Sequence, residues 1–406
     1  MTAAAASFRT DVRVISLVGI AHGFSHFFQL CLPPLFPLLK DEFGGGYAVL
    51  GAVMAVFYAV SGIMQTAAGF LVDRFGARVM LLAGMALISG GTVLAGLVPG
   101  FEWLFLAAAL AGLGNSVFHP ADLALLNGKV DPQRLGHAFS VHGLTGNVGW
   151  ALGPLFVVPI AAAHGWRTAL VAAGVLGFAY LAILATQRVL GREVRRVARV
   201  AGRDADGWRR DVTLLASEPV VLCFLFFALY STALLAFQMF APVALTQLYG
   251  VTLGVATGAL TGFLLGGAAG IVAGGFVAVR TQRHNLVAAA GVLLPAALAL
   301  VIATAAVPTT LLVALMILTG FLFGSIGPSR DIIVRGIAPV EARGKVYGFV
   351  YSGLDLSGLL APPIFGWALD HGRPSLVFAG AAVFMVAAVV TVLRVRREPR
   401  RAPVAA

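Results

Sequence analysis

Apolar runs of 18 or more residues follow one another from residue 13 to residue 395, and that one feature decides which solvent the chain folds in. Each run is long enough to cross a hydrocarbon core of about 30 Å as a helix. In lipid every backbone N–H and C=O must be satisfied within the protein, which leaves only helices and closed barrels. A barrel would need short alternating segments, and the sequence has none. The pattern predicts an all-α polytopic membrane protein. Only 11% of the residues are charged, against about 25% in a soluble domain.

The runs divide into twelve spans near 13–39, 47–72, 79–99, 101–127, 135–163, 166–188, 217–247, 252–279, 285–307, 309–336, 344–369 and 374–395. The only long polar stretch, RVLGREVRRVARVAGRDADGWRRD, lies between the sixth and seventh. It reads as a basic linker or surface helix. The predicted organisation is an N-terminal six-helix bundle (1–188), a cytoplasmic linker (189–216) and a C-terminal six-helix bundle with a basic tail (217–406).

The net charge of +11 carries no nucleic-acid signal here. Of 28 Lys and Arg, only Lys40, Arg167 and Arg373 fall in the alternate loops, and Arg330 lies inside a span. The other 24 collect on one side, which by the positive-inside rule places both termini in the cytoplasm. The start lacks a signal-peptide cleavage pattern, so the first run is expected to stay as a span of an inner-membrane protein. Cys31 and Cys223 sit in apolar runs and read as small hydrophobes.

The two halves share their irregularities. At an offset of 208, Pro120, Gly136 and Pro154 meet Pro328, Gly344 and Pro362; at 209, Gln29 and Pro33 meet Gln238 and Pro242. At 206, Gly69, Phe70 and Arg74 meet Gly275, Phe276 and Arg280. Prolines and glycines recurring at one offset imply duplicated backbone geometry, the mark of repeats that enclose a midplane site.

The loop GFLVDRFGARVM holds Gly69, Asp73, Arg74, Gly76 and Arg78 and resembles the signature of the major facilitator superfamily. The decayed copy GFVAVRTQRH has Val279 where the acid would stand. The stretch GLGNSVFHPADLALLNGKV followed by GHAFSVHGLTGNVGWALGP is similar to fosmidomycin-resistance-type efflux proteins, through His119, Pro120, Gly146, Asn147, Gly153 and Pro154. That subgroup tends to carry a His followed four residues later by Asp in its first helix, where this chain has His22 and His26. The resemblance implies a monomeric alternating-access carrier whose first, fourth, fifth, seventh, tenth and eleventh helices line a cavity. Glycines and charges of the loop signature would then form a cytoplasmic gate.

Candidate site residues are polar groups at membrane depth, which are functional by default. His22, His26, Gln29 and Pro33 are spaced four, three and four apart, so they share one helical stripe. Histidine titrates near pH 6.5, which suits a coupling proton. Pro33, Pro34 and Pro37 are expected to bend the outer end of that helix. Asp355 lies near the midplane of the eleventh span, with Asn147 as its counterpart in the fifth. His119 and His142 lie at similar depth on adjacent spans and could face each other. Gln238 and Arg330 complete the expected pathway. Asp331 is expected to pair with Arg280, and Asp122 with Arg74 or Arg78, as parts of the gate. His137, His164, His284 and His371 read as solvated. Pairs such as Gly112 with Gly114 and Gly262 with Gly266 read as close helix contacts.

No Walker-type phosphate loop occurs, so ATP is not the driving force. The His-x3-His spacing of His22 and His26 is also that of membrane di-iron enzymes. The eight histidines include no adjacent pair, however, and the first span has no carboxylate to complete a metal site. No metal, cofactor or enzymatic activity is expected. A receptor would bind without alternating. The expected function is secondary transport of a small organic solute, by proton-coupled export. Proton-coupled import of a small organic anion, bound by Arg330 and the histidines, is the alternative.

Overall fold

The computed structural model describes residues 3–191, 205–339 and 343–395. These residues form helices and turns, with no strand among them. Ten stretches are long and apolar enough to cross a membrane. One of them, Pro132–Thr186, is 55 residues long and contains two spans. Its helix α7 (Leu135–Thr186) turns at Gly165, whose φ of 83° only glycine adopts without strain. Helix α15 (Arg343–Asp370) supplies a further span. The described residues therefore carry the twelve spans of the expected all-α bundle.

In chain order the remaining helices are α1 (Ala3–Gln29), α2 (Phe36–Phe43), α3 (Tyr47–Phe75), α4 (Ala77–Leu97), α5 (Trp103–Asn115) and α6 (Phe118–Lys129). Helix α8 (Ala205–Leu215) lies on the expected linker, of which residues 192–204 are outside the described residues. After it come α9 (Glu218–Leu235), α10 (Ala241–Tyr249), α11 (Leu253–Arg280), α12 (His284–Ala303), α13 (Thr309–Ser325), α14 (Gly327–Ile337) and α16 (Ser375–Arg394).

Four spans are broken, and the breaks fall in pairs. The fourth span breaks between α5 and α6 just ahead of Pro120, and the tenth breaks between α13 and α14 just ahead of Pro328. A proline has no N–H to give the carbonyl four residues back, so the helical ladder opens there. The first span leaves α1 at Gln29, passes through a 3₁₀ turn at Pro33–Leu35 and resumes as α2. The seventh passes through a π turn at Ala236–Phe240, which contains Gln238, before α10. The repeated prolines and glutamines mark these departures from regular helix.

Within each half, helices approach closely where glycine removes the side chain. A Cβ built on Gly149 would strike the Gly23 backbone, so α1 and α7 cross almost in backbone contact. Gly112 lies against Phe57, Gly114 against Ile88, and Gly262 and Gly266 against Ile317, as the spacing predicted.

Between the halves, α3 and α15 run antiparallel along a graded line of contact. Gly366 meets Tyr47, Gly51 meets Pro362, Gly358 meets Tyr58, and Gly62 meets Asp355. One step further, Gly69 on α3 and Gly348 on α15 have nothing within 4 Å. Along this pair of helices the halves are therefore in contact at one end and parted at the other. The parted end holds the loop signature and the chain's beginning.

A carboxylate closes the shut end. Asp370, the last residue of α15, accepts from the backbone N–H of Tyr47 at 2.7 Å and of Ala48 at 2.8 Å, and lies 3.4 Å from Lys40 Nζ. It thus caps the N-terminus of α3, in the other half, where free N–H groups and the helix dipole favour a negative charge.

Candidate functional site

The close crossing of α1 and α7 brings His22 onto His142. Their rings stack with centroids 3.6 Å apart and planes 18° from parallel. Gly146 makes room for this, since a Cβ there would lie 3.0 Å from both His22 Nε2 and His26 Cε1. Helix α6, starting afresh after the break in the fourth span, adds His119 and Asp122 on one face, three residues apart. The His119 ring centroid lies 5.1 Å from that of His22 and 6.1 Å from that of His142, so the two expected partners are brought together. Asp122 is fully buried. Its Oδ2 lies 3.4 Å from His22 Nδ1 and 3.2 Å from His142 Nε2.

One turn outward, the stripe of α1 continues into a bonded network. Gln29 Nε2 donates to Asn115 Oδ1 at 3.2 Å, Ser25 Oγ donates to the same oxygen at 2.7 Å, and Asn115 Nδ2 donates to Ser61 Oγ at 2.8 Å. Trp150 Nε1 donates to Gln29 Oε1 at 3.0 Å, and the Trp150 ring lies over His26 with centroids 4.3 Å apart. Sequence reasoning missed Ser25, Ser61, Asn115 and Trp150. Ser25 stands four residues before Gln29, a spacing that shares a helical face and could have exposed it. Asn147 is half-buried and, among the described residues, bonds only back along its own helix, to the Gly143 carbonyl.

In the other half the expected residues are dispersed. Gln238 is buried in the π turn, and its Nε2 has no partner among the described residues. Asp355 sits against Gly62 on the last touching rung between α3 and α15. No hydrogen bond or ion pair engages its carboxylate among the described residues. Arg330 is engaged: its Nε lies 3.0 Å from Asp331 Oδ1, and its guanidinium stands 4.6 Å from the centre of the Phe227 ring and 5.7 Å from that of Tyr351. Tyr351 also donates to Asp331 Oδ1 at 2.9 Å.

Neither expected gate pairing is formed with the loop-signature end parted, the state in which such a lock would be broken, and one histidine expected to be solvated is corrected. Asp331 is bonded to Arg330 and Tyr351 and makes no bond to Arg280, which is exposed. Asp122 faces the histidines and makes no bond to Arg74 or Arg78. The His119–Pro120 break turns α6 so that its buried face points at α1 and α7. His284 is buried, with Nδ1 3.3 Å from Ser329 Oγ, because α12 begins at that residue and packs it inward. In the loop signature, Gly76 has φ of 91°, Arg78 Nη2 donates to the Ala185 carbonyl at 2.6 Å, and Asp73 and Arg74 are exposed.

The family model described as Major Facilitator Superfamily matches residues 18–307 and 245–406. The fosmidomycin resistance protein of Escherichia coli (strain K12) is 31% identical over 157 residues, which cover 39% of this chain and only 38% of that relative. The hexuronate transporter of Bacillus subtilis (strain 168) is 24% identical over 382 residues, covering 88% of this chain and 89% of that one. Among solved structures, a bacterial homolog of the human lysosomal transporter Spinster, inward-facing and unoccupied, superposes with a TM-score of 0.71 at 16% identity over 95% of each chain. The twelve spans, the paired breaks and a family match along nearly the whole chain lead to one conclusion: this chain belongs to the Major Facilitator Superfamily.

Proposed function

We propose that this protein is a secondary transporter that exports a small organic solute across the cytoplasmic membrane in exchange for protons, as a monomer with both termini inside. The carrying observation is the graded contact between α3 and α15. It touches from Gly366 and Tyr47 down to Asp355 and Gly62, then opens at Gly69 and Gly348. Rocking the halves about that line would open the shut end and close the other, which is alternating access. Asp355 stands at the rung where contact ends, with no protein partner among the described residues. A carboxylate there meets one side in one state and the other side in the next, so it is our choice for the coupling proton. His22, His26, Gln29, His119, His142, Asn147, Gln238 and Arg330 are proposed to wall the solute path. Gly69, Asp73, Arg74, Gly76 and Arg78 are proposed as the gate at the cytoplasmic end.

Import of a small organic anion is the second reading, and the hexuronate relative supports it. Against it, the cation that would bind the anion, Arg330, already holds Asp331 and three aromatic rings. A partial relative named for fosmidomycin resistance supports export.

The test is proton movement in sealed proteoliposomes loaded with a pH-sensitive dye, while antibiotics, amphiphilic cations and small carboxylates are added outside. Protons moving opposite to a drug-like compound support export, and Asp355→Asn is expected to abolish the dye signal. Protons entering with a carboxylate would overturn the export reading. Asp355→Asn with full proton coupling would remove Asp355 from its role.

A further inference from the structure

The sequence argued against a metal because the first span has no carboxylate. The fold supplies one from the fourth span. His22, His119 and His142 each bring one ring nitrogen within 4.8 Å of the other two. Asp122 Oδ2 stands at 3.4 Å and 3.2 Å from the nitrogens of His22 and His142. We propose that these four residues form a binding site for a divalent first-row transition-metal ion of the Zn²⁺ class.

Three imidazoles and a carboxylate are the donor set of tetrahedral Zn²⁺ and its neighbours, whereas Ca²⁺ and Mg²⁺ prefer oxygen throughout. Four ligands at about 2.0–2.1 Å from a tetrahedral ion stand about 3.3–3.4 Å from one another. The two His–Asp separations already match that edge. Closing the third corner requires His119 to swing inward, and the stacked rings of His22 and His142 to fan apart. His119, the exposed member of the three, has the freedom to do so. The site also holds two buried atoms that no hydrogen bond satisfies, His22 Nδ1 and Asp122 Oδ1. Buried polar atoms without partners are rare in folded proteins, and an ion is one of the few things that resolves them. Gly146 keeps the space beside His22 free of a side chain.

All four ligands come from α1, α6 and α7, within one half. An ion here would brace that half without bridging to the other. The inference therefore stands independently of transport direction and coupling.

Tag-free protein in lipid nanodiscs, titrated with Co²⁺ and followed in visible absorption, tests the proposal. The expected result is one Co²⁺ per chain, with the intense bands of a tetrahedral site, displaced by added Zn²⁺. His119→Ala is expected to weaken binding by about tenfold or more, since it removes a ligand. A variant replacing His137, His164 and His371, all exposed, is expected to bind as the parent does. Bands that survive His119→Ala but vanish in the surface variant would overturn the site, as would a titration with no tetrahedral bands. X-ray absorption of the unaltered Zn²⁺-loaded protein gives a check that needs no variant. A four-coordinate shell with imidazole scattering is expected, and a six-oxygen shell would sink the idea.

Discussion

Asp370 grips two backbone N–H groups of a helix in the other half, so its loss acts on the balance between states and not on either half alone. Asp370→Ala removes two charge-assisted hydrogen bonds and the nearby Lys40 contact. Together these contribute about 2 kcal/mol, a roughly 30-fold shift toward the state open at that end. Electron–electron distance measurements between spin labels at the exposed positions Asp41 and His371 are expected to show a longer-distance population growing in the variant. An unchanged distribution would mean that the cap is incidental. Asp73 behaves differently, being exposed and unbonded among the described residues in this state. Asp73→Asn is expected to slow transport cycles about tenfold while leaving solute affinity within about twofold, because its partner forms only on closure. Equal effects on binding and cycling would assign it to the solute path instead.

At the scale of helices, small residues decide where two backbones can meet. A Cβ on Gly266 would run into the Ile317 backbone, whereas Gly275, nine residues on, has open space around it. Gly266→Leu is expected to cost about 1–3 kcal/mol by overpacking. It should lower the thermal midpoint in detergent by several degrees, while Gly275→Leu leaves it unchanged. The same elements show what was legible from the amino acids. Twelve apolar runs announced the spans, and repeated prolines announced a backbone geometry shared by the two halves, because both signals are local. The meeting of His22, His119 and His142 was only half visible. Depth along each helix could be counted, but azimuth could not. For that reason Asp122 was expected to face arginines and in fact faces histidines. Its spacing from His119, three residues on one helix, was the clue available. His284 was misplaced for a related reason: it looked like a loop residue, and the helix that buries it begins on that very position.

At the scale of the whole molecule, the two ends of the α3–α15 contact are expected to trade places. Cysteines at Gly69 and Gly348, in a background lacking Cys31 and Cys223, test this. A disulfide needs Cα atoms within about 7 Å, so cross-linking must wait for the parted end to close. Adding Asp370→Ala is expected to speed that cross-link several-fold, since weakening one end favours closing the other. A rate indifferent to Asp370 would show that the ends move independently.

The cap at the shut end has a consequence for how this protein can change over generations. One partner in the grip is a side chain, but the other is main chain, which no substitution but proline removes. A lock between two side chains can drift by paired changes at both positions. Here the mutational target is narrow: Asp370 itself, Gly46, where an added Cβ would crowd the carboxylate oxygens, and Tyr47 and Ala48 only through proline. The resting preference between the two states is therefore expected to be tuned by heredity at those few codons far more readily than elsewhere along the seam.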